Sequence, residues 1–538
     1  LALIAGVIVC IAASAVMMPY VPDDSYISFR YAEHLAEGQG LTFNPGEPPV
    51  EAYSNLRWIV ICAGLHKMGL DLPSAMPVVG LLISVLSVIV LWMIFRRRGL
   101  GGLQMVLPLV LLGTSGPVAM YAISGMEMPL FALLLLVSHL LLDGCLTSGR
   151  TLHAALLAVA GVLIALCRPE GMVVFPVIAI ATWFLTRGRP EHRAFQKNLV
   201  LASVFFAVVM VVYHIWRVGY FGELLPTPLL SKGGGGKSVF YAWGANIVTY
   251  FRRQGDFFPP LGYYFTALTL VAWIGLKISR DTLKTNTLES IAFITAAALM
   301  LIYFNFKDWM PGMRYHSAVV GVLLIPAAHV LTPAIRSMRA QEGAPNARTM
   351  RKRFWFTGAA VVLVSLSTLA ELRIVTTRTE ESNQKCLVAL GKWLKDVLPT
   401  QSVLAMSDVG AVPYYSGFRT VDFHPESLTD LHIAKKGFSS DYVFGHEPDV
   451  MVIPSRGIHT AKFYPEHYTM AQEKRFKQTY GFIGTSRYDW QQDRCYWVFI
   501  SRAHRPPTQA QMDAFPIGIG TLARKGIRGV DSGPNEGG

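Results

Sequence analysis

Two adjacent acids, Asp23 and Asp24, open the first polar segment of the chain, PDDSYISFRYAEHLAEGQGLTFNPGEPPVEAYSN, directly after an apolar run. A carboxylate at a membrane boundary is costly unless solvated or paired, and marks a functional site by default. Adjacent carboxylates raise each other's pKa or share a divalent cation, here Mg, Mn or Ca. The competing structural role is an N-cap in a solvated loop. Behind the pair, YISFRYAEHLAEG reads as an amphipathic helix that carries Arg30 and ends at Gly38.

Further charges stand between apolar runs. Glu127 lies in SGMEMPL, Arg168 and Glu170 in CRPEG, Lys232 in YFGELLPTPLLSK, and Asp308, Trp309 and Arg314 in DWMPGMR. Internal ion pairing would account for Arg168 with Glu170 and for Asp308 with Arg314. Yet both signs are expected on one membrane face, a mixture suited to an anionic leaving group and an attacking hydroxyl. GGGGKS at 233–238 imitates a phosphate loop, but Ser231 stands where that motif needs glycine and no strand precedes it. A loop that folds over substrate is the better reading. No His or Cys pair has zinc spacing.

The elements that must position these residues are apolar helices. The chain has 538 residues, of which 15% are charged, against about 25% in an ordinary soluble domain. The apolar residues fall in blocks close to the roughly 20 residues that cross a bilayer. Spans are expected near 1–19, 74–95, 103–121, 126–145, 151–167, 170–186, 198–217, 260–276, 287–305, 314–335 and 354–375. Segments such as VVGLLISVLSVIVLWMIF lack the polar positions of a soluble core helix. No small-residue cleavage site follows residues 1–19, so these are expected to stay as the first helix rather than act as a signal peptide.

Cations select the cytoplasmic side. They cluster at Arg96–Arg98, Arg150, Arg187–Lys197, Lys277–Lys284 and Arg336–Arg353, in every second loop. Residues 20–73, 122–125, 168–169, 218–259, 306–313 and everything after 375 then lie outside. This holds only if LRWIVICAGLHKMG, over 56–69, is interfacial or re-entrant. The net charge of +13 reads as topology and attraction to anionic lipid. A nucleic-acid partner would want one concentrated basic face, which the sequence lacks.

Residues 1–375 therefore form the membrane domain, with 20–73 as its first outer loop. Residues 376–505 read as an extracytoplasmic α/β domain, with strands at 403–407, 449–455 and 495–502 and an amphipathic helix at 386–398. Residues 506–538 read as a flexible tail. Cys386 and Cys495 are candidates for a disulfide, since an extracytoplasmic domain permits oxidation. Tyr414, Tyr415, Tyr464, Tyr468, Trp490 and Trp497 are either core aromatics or sugar-stacking faces.

DDSYISFR, EGQGLTFNPGE, VEAYSN, SGMEMPLFALLL, CRPEG, GYFGELLP and DWMPGMR, in this order, resemble the bacterial type C membrane glycosyltransferases (GT-C). The likeness is to the arabinofuranosyltransferase-like group, which uses polyprenyl-phosphate sugars. It runs from about residue 22 to 315 and resumes at SDVGAVPYYSGFRTVD (407–422) and SLTD (427–430). Thr227 and Phe306–Lys307 depart from the group's usual Asn and Gly-Gly.

The resemblance implies an inverting transfer on the periplasmic side of the bacterial inner membrane. Asp23 matches the general base, which takes the proton of an acceptor hydroxyl. Asp24 matches its partner, orienting it or holding the cation. The acceptor would be a cell-envelope glycan or glycoprotein. Arg168, Lys232 and Arg314 stand at the right depth for the donor phosphate, and Arg suits bidentate contact. Arg30, Glu127, Glu170 and Asp308 complete the expected substrate set. A transporter of polyprenyl-linked glycan is the alternative, but it calls for acids in the middle of spans.

Overall fold

The computed structural model describes residues 1–233, 261–283, 286–304, 310–333, 335, 347–456, 464–489 and 494–518. It is mostly helical, with one sheet near the C-terminus. The described residues of the expected spans are mostly helical. Among the described residues four single helices are long and apolar enough to cross a membrane: α4 (Leu72–Arg97), α7 (Met128–Ser148), α10 (Arg193–Phe221) and a later one over Leu261–Asp281. The α5 (Leu103–Thr114) and α6 (Gly116–Ala122) pair passes the same test as one element bent by 59°. The bend sits at Ser115, which is extended, with Pro117 at the start of α6, where a missing N–H does no harm.

The remaining expected spans lie on α1 (Ala2–Met17), α8 (Thr151–Ala165), α9 (Gly171–Thr186), Thr287–Tyr303, Val320–Leu331 and the long helix Ala347–Ser382. Outward-facing residues of α1, α4, α9 and α10 are apolar: Ile8, Leu82, Ile180, Val208, Val212 and Ile215 are exposed, a surface that favours lipid over water. Residues 56–69 hold α3 (Leu56–Lys67), whose 12 residues reach only about 18 Å, short of the roughly 30 Å bilayer core.

The first polar segment folds as α2 (Asp23–Ala36), followed by an irregular stretch that returns to α3. Glu37 caps α2 and Gly38 turns away with φ 81°, a left-handed value open to glycine. Glu51 fixes the far side of this segment. It pairs with the Arg217 Nε at 2.6 Å, and its carbonyl accepts from Thr227 N at 3.1 Å. The loop after α10 is thereby tied to the first loop, and it leads into α11 (Thr227–Gly233).

The C-terminal domain holds five strands, β1 (Val403–Met406), β2 (Arg419–Asp422), β3 (Val450–Arg456), β4 (Tyr480–Asp489) and β5 (Arg494–Ser501), in the order β2-β1-β3-β5-β4. β1 is parallel to β2 and β3, while β3–β5 and β5–β4 are antiparallel. Helix Ala389–Val397 covers the domain with Leu390, Trp393 and Leu394. The expected strands are present; β2 and β4 are additional.

Two features of this domain bear on the expected disulfide and tail. Cys386 and Cys495 are both buried, and Cys386 Sγ accepts from Ser486 Oγ at 3.1 Å. Residues 508–518, expected as tail, are docked. Thr508 caps a short helix over Gln509–Asp513, Trp393 Nε1 donates to the Gln511 carbonyl at 2.7 Å, and Phe515 packs edge-on against Trp393 at 5.0 Å. The apolar Phe515 supplies the burial that the composition of the tail conceals. The tail from 519 lies outside the described residues.

Candidate active site

The site begins at the N-terminus of α2. Pro22 is extended and caps the helix, placing Asp23 and Asp24 in the first turn, where unpaired N–H groups favour negative charge. Tyr26, Phe29 and Tyr31 bury the other faces of the helix. The two acids then take different partners.

Asp23 faces the C-terminal domain. Its Oδ1 accepts a hydrogen bond from Ala411 N at 2.7 Å. The residue keeps intermediate exposure, but the groups packed on it strip water from the carboxyl. Burial lifts it from its ordinary 3.8 to about 8; Asp408 and Asp24 push the same way, while the Ala411 N–H and Arg494 oppose. Asp408 itself sits against Arg494 and Tyr496, each 2.5 Å from Oδ2. Burial works to raise Asp408, but Arg494 and the Tyr496 hydroxyl hold it below the ordinary value.

Asp24 turns the other way and meets Arg314 Nη1 at 3.4 Å. Arg314 is buried and also donates to the Tyr315 hydroxyl at 2.7 Å. Beyond it lies a second charged group. Arg168 pairs with Glu127 and, through Nε, with Glu170 at 2.5 Å. Both guanidiniums lie over the Tyr315 ring, Arg168 at 4.7 Å and Arg314 at 4.6 Å. Asn55 Nδ2 donates to Glu127 Oε2 at 2.9 Å and to Ser28 Oγ at 3.1 Å, which returns the network to α2. Trp58 Nε1 holds the preceding turn through the Gly125 carbonyl at 2.9 Å.

Asp23, Asp24, Glu127, Arg168, Glu170 and Arg314 are thus gathered at one end of the helices. Arg30 is not with them. Its Nε donates to the Phe43 carbonyl at 2.8 Å, Nη1 to the Pro413 carbonyl at 2.5 Å and Nη2 to the Phe418 carbonyl at 2.7 Å. All three donor arms are taken by backbone, so Arg30 clamps the first loop to the C-terminal domain instead of meeting a substrate. Asn44 and Thr420 add two reciprocal bonds at 2.9 Å, and Val21 N reaches Glu380 at 2.7 Å. Lys232 lies on α11, but its side chain is outside the described residues, as are Asp308, Trp309, Trp490 and the glycine run. Tyr414 and Tyr415 pack on Tyr26 at 5.4 and 5.6 Å, and Trp497 is buried on the sheet; these aromatics are core.

Among the described residues no three His, Cys, Asp or Glu side chains converge as a cation site. Asp24 has a guanidinium partner instead. The residues missed in the sequence are Asn55, Tyr315, Asp408, Gly410, Ala411 and Arg494. VEAYSN, which holds Asn55, and SDVGAVPYY carried a signal, as parts of the resemblance and without a role.

This architecture is GT-C-like, a class of membrane glycosyltransferase folds. The chain is similar to ArnT from Cupriavidus metallidurans in the apo state, with TM-score 0.59 and 14% identity over 94% of this chain and 99% of that one. It is also similar to ArnT bound to undecaprenyl phosphate, with TM-score 0.56 and 13% identity over 93% and 98% of the two chains. A third likeness is to the oligosaccharyltransferase AglB from Archaeoglobus fulgidus, in complex with an inhibitory peptide and a dolichol-phosphate. There the TM-score is 0.52 with 12% identity, over 95% of this chain and 77% of that one. Residues 371–499 match a family described as a domain of unknown function (DUF8728). Comparison with curated proteins gives no match.

Proposed function

We propose that the chain is an inverting glycosyltransferase that moves a sugar, arabinofuranose by its sequence likeness, from a polyprenyl-phosphate donor to a hydroxyl of a cell-envelope glycan or glycoprotein. It would work from the outer face of the bacterial plasma membrane, held by eleven spans, with residues 376–505 outside. The observation that carries this reading is the position of Asp23: a desolvated carboxyl at the start of α2, between the helix-end charges and the C-terminal domain. ArnT, whose fold this chain resembles, is known bound to undecaprenyl phosphate.

In this mechanism Asp23 accepts the proton of the acceptor hydroxyl. The freed oxygen attacks the anomeric carbon from the face opposite the phosphate. The bond between that carbon and the phosphate oxygen breaks, and polyprenyl phosphate leaves with the electron pair. A carboxyl raised to about 8 is a stronger base than an ordinary aspartate once ionised.

The site charges support a reading of the other roles. Arg168 is flanked by Glu127 and Glu170 at close range, which neutralises it and makes it a fixed wall. Arg314 has the longer pair, 3.4 Å to Asp24. It is the guanidinium that a donor phosphate engages, with Asp24 yielding; Asp24 is the residue that would hold a divalent cation, which would supply charge for the leaving phosphate. Transport has no support from these positions, because the site acids sit at helix ends rather than within spans.

The test is transfer by the purified full chain from a panel of polyprenyl-phosphoryl sugars, with and without chelator. Wild-type protein is expected to release polyprenyl phosphate. Asp23→Asn is expected to lose about 100- to 10,000-fold in turnover while keeping donor binding. Near-normal turnover in that variant would refute the assignment of the base.

A further inference from the structure

One contact joins the two halves of the chain at the carboxyl assigned as base. Gly410 follows β1 and caps the short helix Ala411–Ser416. Its φ is −90°, so no left-handed backbone demands glycine here. Asp23 demands it. A Cβ added to Gly410 would lie 2.2 Å from the Asp23 carbonyl oxygen and 2.4 Å from both Cγ and Oδ2. No side chain fits at those separations without moving one of the two segments.

The next residue completes the grip. Ala411 is the first residue of its helix, so its N–H has no acceptor within that helix. It donates instead to Asp23 Oδ1 at 2.7 Å. One carboxyl oxygen is therefore held by a backbone donor, and the other lies against the bare Cα of Gly410. The titratable groups around Asp23 come from several elements: Asp24 and Tyr26 on its own helix, Asp408 ahead of Gly410, Arg494 on β5, Tyr488 on β4, and Cys386.

We propose that Gly410 and Ala411 are positioning residues for the Asp23 carboxylate, so that the C-terminal domain completes the transfer centre. The inference rests on Asp23 being the base. It gives the domain a role in the chemical step, separate from any part in holding acceptor. A static anchor on the membrane domain would need contacts such as those of Arg30 and Asn44, but not a backbone pressed against the reacting group.

The test uses the full chain and the polyprenyl-phosphoryl sugar that the wild type turns over. Misplacing a reacting group by about 1 Å costs on the order of a hundredfold. Gly410→Ala is expected to lower kcat by about that factor, with KM for the donor within about threefold. Gly445→Ala is the control, since nothing lies within 4 Å of a Cβ there, and it should match wild type. Ala411→Pro removes the donor N–H at the first helical position, where proline is accepted, and should show the same kcat loss.

Elution profile and thermal unfolding establish that each variant is folded; if Gly410→Ala is not, Ala411→Pro decides. Asp23→Asn is measured alongside. If it retains turnover, the base assignment fails and this inference falls with it. If Asp23→Asn is inactive while the folded positioning variants keep wild-type kcat, or lose only KM, the positioning role alone is overturned.

Discussion

Activity is expected to climb with pH through a carboxyl that ordinarily titrates near 4. Asp23 is lifted to about 8, and a general base works only when ionised. Its ionised fraction is then about one in eleven at roughly pH 7 and about ten in eleven at roughly pH 9. Between those values kcat/KM is expected to rise about tenfold. Asp408 does not compete in this range, because Arg494 and the Tyr496 hydroxyl hold it below its ordinary value.

The assay is initial-rate transfer by the full chain across about pH 6 to 9.5. A flat profile, or a limb near pH 5, would refute the reasoning. Stability should run the other way. A raised folded-state pKa contributes stability that is fully present below about 3.8, declines as pH rises, and is lost above about 8. Asp23→Asn should therefore raise the melting temperature at neutral and alkaline pH while it removes activity.

Arg30→Ala leaves three backbone carbonyls without their donor and is expected to cost about 3 kcal/mol. Thermal unfolding and limited proteolysis between the membrane part and the sheet should register it. Lost donor affinity at unchanged stability would return Arg30 to the substrate set. Arg168→Met strands Glu127 and Glu170 in a buried place, at a cost of about 3–5 kcal/mol. Adding Glu127→Gln should recover part of the melting temperature, since the two sites share one network; simple additivity would contradict the pairing.

The helical part was legible because apolar blocks of bilayer length carry a strong local signal. The reading of residues 56–69 as too short to span followed from the same arithmetic, and α3 has that length. The charged helix ends were legible as a set, because polar residues between apolar runs have few places to go. Their pairing was not. CRPEG suggests Arg168 with Glu170, yet Arg168 also takes Glu127, 41 positions away, and both lie within reach of α2 through Asn55. The partners of Arg30 were illegible for a related reason: nothing near it in the chain announces that Pro413 and Phe418 will supply its acceptors.

The partner of Asp23 was the least accessible of all. Ala411 contributes only a backbone N–H and Gly410 only the lack of a side chain, so neither has a chemical character to notice. Burial raises the Asp23 carboxyl, and the Ala411 N–H opposes part of that rise. The C-terminal domain both desolvates the carboxyl and donates to it, raising its basicity while fixing its direction. On the proposed mechanism the sheet domain bears on the chemistry through its contact with one carboxyl: the Ala411 N–H at 2.7 Å and the bare Gly410 together fix the direction of Asp23.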